Sequence, residues 1–190
     1  MAKNDLRRAA LADAGIAVLA REGSRGLTHR AVDEIAGVPV GTASNYFRTR
    51  EALITGLFER IGQRLAPTAD DLALRAPRAP DPSLFADYLR DIVRRLLTER
   101  EVTLALFELR LEAARRPELA ELLGAWQRAG FEADVAFHTA AGLPGDRREI
   151  ALFHYAISGL VLDRLTSSID PTAPTDEVVD TLVEGLLPRS

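Results

Sequence analysis

The stretch Leu27 to Leu53, LTHRAVDEIAGVPVGTASNYFRTREAL, constrains this chain more than any other part of it. It reads as two short helices joined by a glycine turn, with basic and hydroxyl residues at each end. Thr28 stands where a helix N-cap belongs, and Val32, Ile35 and Ala36 follow on one face. A segment this short needs neighbours to hold it. Gly37 can take the positive φ that stops a helix, and Val38 supplies an apolar plug between the two halves. Pro39 has its φ preset for a first helical turn, so the spacing predicts a second helix over Val40 to Phe47, followed by Arg48, Thr49 and Arg50. Gly41, Thr42, Ala43, Ser44 and Asn45 give that helix a slim, polar surface, suited to a major groove about 12 Å wide. A helix with a purely structural task would carry more leucine.

The charge distribution agrees with a reading head on a separate body. The whole chain of 190 residues carries a formal charge of -4, but the residues up to Arg64 sum to +3 and those beyond to -7. A basic head on an acidic body turns the head toward phosphates and keeps the body off a duplex. The same split also arises among ordinary solvated helix faces.

The order of helix, turn, helix, aromatic pair and Arg-Glu-Ala-Leu resembles the TetR family of transcriptional regulators. The residues that carry the resemblance are Thr28, Ala36-Gly37-Val38, Gly41-Thr42, Tyr46-Phe47 and Arg50-Glu51-Ala52-Leu53, within the first third of the chain. Two positions depart from the family pattern: Pro39 where a Ser or Thr cap is frequent, and Ser44 where a phosphate-contacting Tyr is common. The resemblance implies an all-α fold, with a three-helix helix-turn-helix domain over residues 1–50 joined to a helical effector-binding and dimerisation domain over 51–190. It also implies that Val40, Gly41, Thr42, Ser44 and Asn45 face the groove, while Thr28, Arg30, Tyr46, Arg48 and Arg50 contact phosphates or sugars. The Asn45 amide suits an adenine edge and Val40 a thymine methyl. Plainer roles compete: Thr28 as a cap alone, Tyr46 as packing, Arg48 as a solvated charge.

The remaining chain reads as helices without a convincing strand. A first amphipathic helix covers Leu6 to Arg21, with Leu11, Ala14, Val18 and Leu19 inward and Gly23 at its stop. A connecting helix runs from Glu51 to Leu65. Pro67, Pro77, Pro80 and Pro82 break the segment from Ala66 to Pro82, which reads as a domain boundary or loop. Further helices are expected from Pro82 to about Glu99, with Asp81 as cap, then from about Glu101 to Arg115, Pro117 to Ala141, Asp146 to Ser168 and Asp176 to Leu187.

The segment Ile150 to Leu162, IALFHYAISGLVL, has no formal charge and is apolar nearly all round, so it needs two surfaces to pack against. One is its own domain; the other, as the resemblance implies, is a second copy of the chain. Phe153, Ala156, Ile157, Leu160 and Val161, with Val179, Leu182 and Val183 of the last helix, are the candidate dimer residues. A central helix of a monomer is the competing account. Twofold symmetry would present two recognition helices about 34 Å apart to a palindromic operator. Phe85, Tyr88, Phe107, Arg110, Trp126, Phe131 and His154 are candidates for an effector pocket, although ordinary core is the commoner role for such aromatics, a satisfied or exposed ring for His154, and a solvated helix stripe competes for Arg110.

Other classes fare worse. The absence of cysteine excludes a disulfide framework, a thiolate zinc site and a Cys nucleophile. No nucleophile elbow, phosphate-binding glycine loop or HExxH pair occurs, and the three histidines lack metal-ligand spacing, so an enzyme, a metal and a cofactor are not expected. A non-specific DNA-packaging protein would be strongly basic, whereas the pI is near 5.5. After Met1, charged residues follow too closely for a secretory segment, and no apolar run suits a membrane span, so a cytoplasmic protein without a membrane partner is expected. The expectation is a homodimeric regulator, in the family's usual mode a repressor, released from its operator by a small apolar or amphipathic effector. A DNA-binding regulator without an effector fits the head equally well.

Overall fold

The computed structural model describes residues 3–73 and 78–187. Among the described residues the chain is helical without strands: α1 (Lys3–Gly26), α2 (His29–Ile35), α3 (Thr42–Tyr46), α4 (Arg50–Leu65), α5 (Ala69–Ala73), α6 (Pro82–Thr98), α7 (Arg100–Ala113), α8 (Pro117–Ala140), α9 (Arg147–Leu165) and α10 (Thr175–Leu186). The all-α expectation holds. Among these residues no helix is long and apolar enough to cross a membrane. Pro77 lies outside the described residues.

Two compact units are present, residues 1–66 with 99–126 and residues 67–98 with 127–190. In the first, α1 packs against α2, α4 and α7, and α2 against α3. Its core is formed by Leu11, Ile16, Leu19, Leu27, Val32, Phe47, Leu53, Leu57, Ile61 and Leu109, all fully buried. These recur at helical spacing along α1 and α4, so each helix buries one stripe. The stripe expected for the first helix is the observed one, but α1 runs on to Gly26 past a break at Gly23, where φ is 70° and ψ -175°. Arg60 of α4 grips Asp13 of α1 through two hydrogen bonds of 2.9 and 2.8 Å, and Trp126 stacks on Phe58 at 5.4 Å.

In the second unit, α6, α9 and α10 pack on one another around Leu84, Phe85, Leu89, Val93, Phe153, Val161, Val179 and Val183. The Asp81 cap forms as expected, its Oδ1 accepting the Leu84 N–H at 2.8 Å. Asp146 caps α9 in a reciprocal box with Glu149. Within the proline-rich segment a short helix, α5, appears where only a loop was expected. Thr68 and Asp71 bond reciprocally at its start, with Thr68 N–H on Asp71 Oδ2 at 2.9 Å and Asp71 N–H on Thr68 Oγ1 at 3.1 Å. That local capping pair is enough to close one turn between prolines.

Candidate nucleic-acid interface

The Thr28 cap forms, its Oγ1 accepting the Ala31 N–H at 3.1 Å. Gly37 takes φ 62° and closes α2 as its position predicts. The second helix is shorter than expected. It begins at Thr42 rather than near Val40, because Gly41 adopts φ 94°, a left-handed conformation that interrupts the helical path Pro39 would otherwise start. Pro39 instead belongs to the turn, its carbonyl accepting from the Thr42 N–H at 3.1 Å and from Thr42 Oγ1 at 2.6 Å. Thr49, not a residue inside the helix, caps α4 through its Oγ1 to the Ala52 N–H at 3.0 Å.

Around this turn Val40 is 82% exposed. Ser44, Asn45, Arg30 and Arg48 are also exposed, while Gly41, Thr42 and Tyr46 are half-buried. The exposed Val40 and the exposed amide and hydroxyl groups beside it combine apolar and hydrogen-bonding contact on one short helix and its leading turn. Ser44 Oγ donates to the Gly41 carbonyl at 2.9 Å, so its hydroxyl is engaged with its own helix.

Arg50 has a different environment from Arg30 and Arg48. Its guanidinium donates to the Leu27 carbonyl, to the Ser24 carbonyl at 2.8 Å and to Ser24 Oγ at 3.3 Å. Burial, with the charge of Arg116 beside it, pushes this group down from the ordinary arginine value against the opposing pull of Glu112. Arg50 therefore fastens the end of α1 to the start of α4. Its sequence position among basic residues gives no hint of this inward bonding.

Three side chains that the sequence reading passed over hold α3. Asp33 of α2 is 1% exposed and accepts the Gly41 N–H at 2.7 Å and the Ala43 N–H at 2.6 Å. His29 Nε2 meets the Phe47 carbonyl at 2.6 Å. Arg8 reaches the Tyr46 carbonyl at 3.3 Å and lies 4.5 Å from the centre of the Phe47 ring. No local motif marks them, since their partners are backbone groups from 8 to 38 positions away.

The pocket candidates fall on both units. In the first, Phe107 lies under Arg110 at 5.7 Å, besides Trp126 on Phe58. In the second, Phe85 meets His138 and Phe153 edge-on at 5.0 and 4.9 Å, and Tyr88 meets Phe137 at 5.4 Å. Phe131 packs beside His154 at 5.4 Å and under Arg147 at 4.7 Å. A cleft of about 610 Å³ in the first unit is lined by Glu22, Gly23, Ser24, Arg25, Glu108, Glu112, Arg115 and Arg116. One of about 300 Å³ in the second is lined by Val93, Arg94, Leu97, Thr98, Thr175 and Asp176. None of the seven pocket candidates lines either cleft. No metal-binding cluster occurs among the described residues.

On α9, the candidate dimer residues Phe153, Ile157 and Val161 are buried within their own unit, as are Val179 and Val183 of α10. Ala156, Leu160 and Leu182 are half-buried. The face left open carries Tyr155 at 72% exposure, Gly159 and Leu162.

An all-helical chain with a short, polar, exposed helix secured inside a helical unit belongs to the helix-turn-helix class of DNA-binding proteins. Residues 80–189 match the tetracyclin repressor-like C-terminal domain, and the chain belongs to this TetR-like family of transcriptional regulators. Among solved structures, a TetR-family member from Streptomyces coelicolor A3 is 26% identical, with a TM-score of 0.73, covering 96% of this chain and 99% of that one. The multidrug binding protein EbrR complexed with malachite green is 28% identical, with a TM-score of 0.70 and coverage of 96% and 99%. EbrR complexed with imidazole gives 26%, 0.68, 97% and 96%. No curated relative matches the chain. Regulators of this family bind DNA and small-molecule effectors and act as dimers, and they are not enzymes.

Proposed function

We propose that this protein is a homodimeric repressor that occupies a palindromic operator and is released by a small aromatic or amphipathic effector. The observation that carries the DNA reading is the joint exposure of Val40, Ser44, Asn45, Arg30 and Arg48 about a helix fixed by internal hydrogen bonds. Asn45 and Val40 read bases, and Arg30 and Arg48 contact phosphates. Thr28, Gly41, Thr42, Ser44 and Tyr46 line the same contact. Arg50 enters it through the geometry it maintains between α1 and α4. The head comprises residues 1–50 and the effector and dimerisation domain residues 51–190.

The open face of α9 pairs with a second copy through Tyr155, Gly159 and Leu162, flanked by the half-buried Ala156, Leu160 and Leu182. Gly159 meets nothing within 4 Å where a Cβ would stand, so a partner helix can approach there closely. Ethidium and malachite green bound to EbrR, together with the acidic charge of this chain beyond Arg64, support an aromatic cation as effector. The aromatic side chains of the second unit, Phe131 and His154 with Tyr88, would open to admit it. Release follows when the effector binds more tightly to the state with wrongly spaced heads.

The test is selection of random-sequence duplexes by the purified protein at about 0.15 M salt. Enrichment of one palindrome is expected, and uniform retention would move the assignment to non-specific packaging. Titration of malachite green into the protein without DNA checks the effector. No heat of binding would leave a DNA-binding regulator without an effector of this chemistry.

A further inference from the structure

The helix that carries Asn45 has only five residues, Thr42–Tyr46, too few to fix its own direction. Both its ends are nevertheless secured from outside. At the start, the two carboxylate oxygens of Asp33 each accept one backbone N–H, from Gly41 at 2.7 Å and from Ala43 at 2.6 Å. At the end, Arg8 and His29 bond to the carbonyls of Tyr46 and Phe47, at 3.3 and 2.6 Å. Asp33 is 1% exposed, and a carboxylate is among the costlier groups to bury. A neutral Asn in its place has one acceptor oxygen and would turn an NH2 toward the second amide. Only a carboxylate satisfies both N–H groups from a single side chain at this point of α2.

The geometry points to Asp33 as the positioning residue for base recognition. Its two hydrogen bonds set the pitch and rotation of α3 on α2, and so decide which of Val40, Ser44 and Asn45 meets a base edge. Arg8 and His29 complete the fixation at the far end. Because base readout depends on sub-ångström placement while phosphate attraction does not, Asp33 acts on sequence preference more than on bare affinity. This inference rests on the DNA-reading role proposed above.

The test compares the wild-type protein with Asp33→Asn, using the duplex most enriched by the wild type and a scrambled duplex of equal length. The preference for the selected duplex is expected to fall on the order of tenfold or more, the loss attached to one charge-assisted hydrogen bond. The slope of log affinity against log salt on the scrambled duplex should stay unchanged, since the phosphate contacts remain. An unchanged preference, or an equal loss on both duplexes, overturns the inference while leaving DNA reading in place. A wild type that enriches nothing overturns the DNA reading and this inference with it. Should Asp33→Asn fail to fold, amide exchange in the wild type decides: the Gly41 and Ala43 amides are expected to exchange far more slowly than free amides, and exchange at the free rate overturns the inference.

Discussion

Glu108 of α7 accepts the backbone N–H of Ser24 at 2.9 Å, joining positions 84 apart in the sequence. The contact exists because Gly23, at φ 70°, interrupts the hydrogen-bond ladder of α1 and frees that N–H. A Cβ on Gly23 would also stand 3.1 Å from Glu108 Oε1, so both the backbone angle and the space call for glycine. Ser24 is thereby held on two sides, its N–H by Glu108 and its carbonyl by Arg50.

Glu108→Ala removes the acceptor from this N–H. Ser24 is 4% exposed, yet the cleft of about 610 Å³ opens beside it and lets water approach. The expected cost is therefore about 1 kcal/mol, at the low end for an unsatisfied buried donor. Denaturant unfolding of the Ala and Gln variants measures it. Gln keeps an acceptor oxygen and should recover most of the loss; equal losses in the two would show that the hydrogen bond is not the cause.

Gly56 and Gly130 both lie inside helices, where alanine is ordinarily favoured by about 0.5–1 kcal/mol. They should respond with opposite sign. A Cβ at Gly56 would stand 2.3 Å from Cε1 of Phe47, whose ring is fully buried, whereas one at Gly130 meets nothing within 4 Å. Gly56→Ala is expected to destabilise by about 1–3 kcal/mol through overpacking, and Gly130→Ala to stabilise slightly. Thermal unfolding of the two single variants is sufficient, and a stabilised Gly56→Ala would mean that Phe47 can move aside.

Much of this was readable from local pattern. Thr28, Gly37, Asp81 and the apolar stripe of α1 announce themselves because caps, left-handed glycines and 3.6-residue periodicity are local signals. The start of α3 lies two residues beyond the Val40 that the sequence suggests, since Pro39 fits either a helix start or a turn, and the choice depends on the φ that Gly41 adopts in its surroundings. Asp33, Arg8, His29 and the inward bonds of Arg50 are not legible in the sequence, because a polar side chain bonded inward and a solvated one look alike until the distant backbone partner is known. The same applies to α9: its apolar circumference leaves open which residues serve the unit's own core, and that follows only from how the helix is rotated.

Acid should weaken the second unit through Asp87. Burial alone would raise this carboxyl, but hydrogen bonds from Arg78 and Arg90, with the charges of both, outweigh it and hold the group below its ordinary value of 3.8. A folded-state value lower than the unfolded one contributes stability that is complete above the unfolded value and is lost as pH falls through the folded one. Asp87→Asn should therefore cost stability near neutrality and flatten the decline below about pH 4. Unfolding followed as a function of pH for both proteins tests this; parallel curves across the acid range would remove Asp87 from the account.

Dimerisation offers a test that leaves the core intact. Phe153, Ile157 and Val161 are committed to the unit's own interior, so altering them would confound folding with association. Tyr155 and Leu162 stand on the open face of α9, 72% and 44% exposed, and can be changed without opening a cavity. A combined Tyr155→Glu and Leu162→Glu variant places charge of one sign where an apolar partner surface is proposed, and like or unpaired charge in such an interface is costly. Sedimentation should then report the 20.7 kDa chain instead of twice that mass, with helical circular dichroism retained. DNA binding should fall further than the loss of one contact would cause, because two heads on one palindrome bind as a linked pair and a separated chain reaches only a half-site. A variant that still sediments at twice the chain mass would place the subunit contact on another surface of the protein.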